Sequence, residues 1–73
     1  MFKYVEVHDS ETDSEILIKI SPKKDIEFFI DSENFKIGNE IIKKLKSHDS
    51  LIGEIIDCKK RSTIKNFSIV PIG

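Results

Sequence analysis

A length of 73 residues, a single cysteine and a formal net charge of −1 describe one small domain with one core and no internal disulfide. That excludes the disulfide-stapled class of small secreted scaffolds, and the slightly negative charge does not favour nucleic acid as a partner. No apolar run approaches the roughly 20 residues that span a bilayer, and residues 1–6 lack the basic-then-apolar form of a signal peptide, so the expected setting is the cytoplasm with no membrane partner.

Fourteen isoleucines and five phenylalanines, with no alanine and no tryptophan, favour strands. Branched and aromatic side chains suit a pleated surface, whereas alanine is the best helix former. Residues 2–8 read as a first strand, with Val5 and Val7 on one face and Tyr4 and Glu6 on the other. A polar loop over residues 9–14 follows. Residues 15–31 then read as a β-hairpin folded about Lys23. Ile16, Ile18 and Ile20 alternate with Leu17 and Lys19, and Ile26, Phe28 and Ile30 alternate with Glu27 and Phe29. The connection Ser21-Pro22-Lys23-Lys24-Asp25 is polar, with a φ-fixing proline near its start. This midpoint sets Ile20 against Ile26, Ile18 against Phe28, Ile16 against Ile30, and Lys19 against Glu27 as a favourable cross-strand pair. Folding the first strand about its loop adds Val7 opposite Ile16 and Val5 opposite Ile18. The result is a three-stranded meander with one apolar face, and a slip of one residue would turn all of it to solvent.

Residues 31–34 carry a turn signal. Residues 35–37 read as a short strand closed by Gly38, after which Asn39 caps a helix from Glu40 to about Ser47. Ile37, Ile41, Ile42 and Leu45 share one face of that helix, and Lys43, Lys44 and Lys46 point outward near its C-terminal end. The rival reading makes residues 40–46 a strand, but the pairs Ile41-Ile42 and Lys43-Lys44 break the alternation. Residues 51–58 read as a fourth long strand with a bend or bulge at Gly53. Residues 59–63 form a basic turn, and residues 64–70 a last strand with Phe67 and Ile69 on one face, ended by Pro71. The expected fold is a small α+β domain, mostly antiparallel β, with a three-stranded meander, one short helix and a C-terminal hairpin. That order matches an OB-type five-stranded barrel, with an SH3-like barrel as the alternative if residues 35–46 are extended.

The candidate chemistry is sparse. Asp9, Glu11, Asp13 and Glu15 place carboxylates at alternate positions, as a Ca²⁺ loop does, but the turn glycine and distal glutamate of an EF-hand are missing, so a solvated hairpin loop is expected. His8, His48 and Cys58 lack paired ligand spacing, and Cys58 reads as a strand cysteine rather than a nucleophile, although Lys59, Lys60 and Arg61 beside it would depress a thiol pKa. No phosphate loop, dinucleotide glycine pattern or serine elbow occurs. The expectation is therefore a non-enzyme with no catalytic residue, metal or cofactor.

Two surfaces compete for a binding role. Tyr4, Leu17 and Phe29, rimmed by Lys19, Glu6 and Glu27, have the composition of a protein-binding face, and suit a regulator or inhibitor of a protein partner. Lys43, Lys44 and Lys46, with Lys59, Lys60 and Arg61, would track a phosphate backbone if they lay together, with Tyr4, Phe29, Phe35 and Phe67 as stacking platforms for a single strand. Charge is split along the chain. Residues 1–35 hold four lysines against nine acids, −5, and residues 36–73 hold seven lysines and one arginine against four acids, +4. An unpaired edge strand offers a third option, a homodimer.

Overall fold

The computed structural model describes residues 2–29, 35–59 and 61–72. The meander is β1 (Lys3–Asp9), β2 (Ser14–Ile20) and β3 (Ile26–Phe29). Two helices follow, α1 (Phe35–Lys46) and α2 (Asp49–Asp57), and then a short hairpin of β4 (Ser62–Ile64) and β5 (Phe67–Pro71). All strands are antiparallel in one open sheet, ordered β3-β2-β1-β5-β4 with β1 at the centre. The edge strands β3 and β4 lie on opposite sides of the sheet, so the described residues form no closed barrel of the OB or SH3-like order.

The meander has the register that alternation dictates. Val5 pairs with Ile18 and Val7 with Ile16; Ile20 pairs with Ile26, Ile18 with Phe28, Lys19 with Glu27 and Leu17 with Phe29. The expected Ile16–Ile30 pair and the turn over residues 31–34 lie outside the described residues. The hairpin is closed locally: Lys24 N–H donates to the Ser21 carbonyl at 2.8 Å, Ser21 N–H to the Asp25 carbonyl at 2.9 Å, and Asp25 N–H to Ser21 Oγ at 3.0 Å. Pro22 thus sits second in the Ser21–Lys24 turn, where its fixed φ is favourable. β5 supplies a fourth strand of the same parity, with Phe67 and Ile69 buried. Pro71, paired with Val5, ends it; Ile72 N–H turns back to the Tyr4 carbonyl, so the missing N–H of Pro71 points to the opposite side, past the last β4 pair at Ile69.

The helical segment departs from the expectation in two places. Residues 35–37 are the first turn of α1 rather than a strand, and Asn39 lies inside the helix rather than at its cap. Ile37, Ile41 and Leu45 recur every fourth residue on one side of α1; Ile41 and Leu45 are buried in the core, with Ile42 packed against it, and Ile37 is half-buried. Residues 51–58 are not a strand: α2 covers Asp49–Asp57, and Cys58 ends it with a positive φ of 26°, its N–H donating to the Glu54 carbonyl at 2.9 Å. Leu51, Ile52, Ile55 and Ile56 recur at helical spacing, and the Ile55-Ile56 adjacency that would force a bulge in a strand is ordinary on a helix. The two helices are joined by Ser47 and His48 alone, with Ser47 N–H and Oγ both donating to the Lys44 carbonyl and His48 N–H to the Leu45 carbonyl. Leu51 and Ile55 join Ile41 and Leu45 in one cluster with Val5, Val7, Ile16, Ile18, Ile20, Phe67 and Ile69. Burial of each such side chain stabilises the fold by roughly 1.5–3 kcal/mol.

One polar knot pins the layers together. Asp9, at the end of β1, is fully buried. Its Oδ1 accepts the Glu11 N–H at 2.9 Å and its Oδ2 the Lys44 ammonium at 3.3 Å. Lys44 also donates to Glu11 Oε2 at 3.0 Å, and that oxygen accepts Asn66 Nδ2 from the β4–β5 turn at 2.9 Å. Ser10 N–H completes the tie to the Asn66 carbonyl at 2.8 Å. The loop over residues 9–14 is therefore not simply solvated, and Lys44 does not point outward. Burial pushes the Asp9 carboxyl up, but the Glu11 N–H, the Lys44 ammonium and the Thr12 side chain together hold it below the ordinary carboxylate range. The hydrogen bond to Glu11 raises the Lys44 ammonium above its ordinary value; burial opposes this, and Asp9 adds to it.

Two outcomes check this account. Gly53 is exposed on α2 with nothing within 4 Å of an added Cβ, so Gly53→Ala should raise stability by about 1 kcal/mol in urea unfolding, a gain a strand would not give. Asp9 has a lowered folded-state pKa, so its contribution is present above the ordinary carboxylate range and is lost as pH falls through the folded value. The wild type should therefore lose more stability than Asp9→Asn on acidification from about pH 5 to 3.

Candidate interaction surface

A sheet covered by helices on one face leaves the other to be explained. Strand parity sends Tyr4, Glu6 and His8 of β1 outward, with Leu17 and Lys19 of β2, Glu27 and Phe29 of β3, and Val70 of β5. Registration then sorts them into rows. Phe29, Leu17, Glu6 and Val70 lie side by side across four strands. The adjacent row is Glu27, Lys19 and Tyr4, continued by Ile72 through its 2.9 Å hydrogen bond to the Tyr4 carbonyl. The five residues expected to bind a partner, Tyr4, Leu17, Lys19, Glu27 and Phe29, are thus brought together in two neighbouring rows.

The face is more apolar than those five residues imply. Among the described residues the exposed large hydrophobics are Phe2 at 47%, Phe29 at 45% and Ile72 at 52%, and all three belong to it. Lys19 Nζ lies 3.9 Å from the centre of the Phe2 ring, a cation–π contact across this face. Tyr4, Leu17 and Val70 are half-buried between these groups. Sequence reasoning missed Phe2, Val70 and Ile72. Parity with Tyr4 would have found Phe2; Val70 and Ile72 needed the placement of β5 beside β1. A depression of about 390 Å³ opens at the β2 side of the face, with Glu6, Ser14, Leu17, Phe29 and Ile37 among its lining residues.

The chemical candidates are not assembled. His8 lies on the outer face, 3.3 Å from Glu15 Oε1 and 3.6 Å from Asp13 Oδ1. His48 joins the helices and meets Phe67 edge-on at 6.2 Å. Cys58 is buried after α2, beside a concavity of about 340 Å³ lined by Glu54, Asp57 and Lys59 and by no histidine. Among the described residues no group of three or more His, Cys, Asp or Glu is placed to hold a metal ion.

The basic residues are dispersed too. Lys43 and Lys46 are exposed on α1, while Lys44 is held by Asp9 and Glu11. Lys59 and Arg61 follow α2, separated from α1 in the chain by its nine helical residues. Lys60 lies outside the described residues. Of the proposed stacking rings, Phe67 is buried, Tyr4 and Phe29 lie on the outer face away from the helices, and the Phe35 side chain is outside the description. No helix among the described residues is long and apolar enough to cross a membrane. No family model, curated protein or solved structure matches the chain.

The two phenylalanine classes separate experimentally. Phe29→Ala loses only an exposed cross-strand neighbour and should cost under about 1 kcal/mol in urea unfolding. Phe67→Ala empties a core position and should cost about 3–5 kcal/mol.

Proposed function

We propose that this chain is a non-enzymatic, cytoplasmic module that binds a protein partner through the outer face of its sheet, and acts on that partner as a regulator or inhibitor does, by occupying a surface. One observation supports the reading above the others: the exposed large hydrophobics Phe2, Phe29 and Ile72 all lie on the one sheet face that the helices leave open. Single exposed apolar residues are normal, but several gathered on one face and interspersed with charge have the composition of an interface. Among the described residues the edge strands β3 and β4 span four and three residues. A lone buried cysteine fits a reducing compartment. The alternative, a single-strand nucleic-acid module, gains little from this geometry, because one of its lysines is neutralised and its exposed rings lie across the sheet from α1.

The test is capture from a native lysate with tagged wild type and Phe29→Lys, each with and without nuclease. The expected result is a protein retained by the wild type, insensitive to nuclease and lost with Phe29→Lys, whose melting stays close to wild type. Retention by both proteins removes this face from the interaction; nuclease-sensitive capture moves the function to the basic residues.

A further inference from the structure

We draw no further inference here: the strongest candidate, the outer face of the sheet on which Phe29 is exposed among the carboxylates of Glu6 and Glu27 and the cations of Lys19 and, beside Val70, Arg61, carries nothing, because its charges are of both signs and nothing in the structure shows what covers it.

Discussion

The structure depends on strand parity in the three-stranded meander. Val5 and Val7 of β1, Ile16, Ile18 and Ile20 of β2, and Phe28 of β3 fall on one face because successive side chains alternate and the turns hold the strands in one register. Every later decision follows from that face. The helices have one apolar surface to cover, β5 can join only with Phe67 and Ile69 turned inward, and the remaining side chains are left together outside. A domain of this size has a single core and little reserve, so an error of one residue in any strand would expose most of what stabilises it.

Polar interactions complement this burial by fixing direction. Asp9 draws together the end of β1, the C-terminal half of α1 through Lys44 and, through Glu11, the β4–β5 turn at Asn66. Hydrophobic contact alone is non-directional and would let the helices slide on a flat isoleucine-rich surface. A buried carboxylate that needs its partners specifies where α1 sits, because displacement leaves its charge unsatisfied. The same knot removes Lys44 from any role at the surface. Charges that look equivalent in the run Lys43, Lys44, Lys46 therefore have different tasks, with one structural and two solvated.

The two faces of the sheet carry different side chains. The inner face carries the core, and the outer face carries Phe2, Tyr4, Leu17, Phe29 and Ile72 around Glu6 with little obligation to the fold. The charge split along the chain persists in space to that extent. β1–β3 supply the carboxylates of the outer face, and α1 supplies the exposed Lys43 and Lys46 on the other side.

Alternation with period two is a local property, and it determined the meander from sequence alone: its register about Lys23, the pairs Val5–Ile18 and Ile18–Phe28, and the grouping of Tyr4, Leu17, Lys19, Glu27 and Phe29 on one face. The segment between residues 35 and 58 was less legible, because apolar runs such as Leu51-Ile52 and Ile55-Ile56 satisfy either a buried strand or a helix. The tertiary structure decided for helix there, since an open sheet already paired on its inner strands needs its apolar face covered by side chains, not extended by another long strand. It also decided what no local pattern contains: β5 beside β1, which brings Val70 and Ile72 to the outer face, and Lys44 against Asp9 across 35 positions of chain. Those contacts join residues far apart in sequence, and only the burial of the whole core selects them.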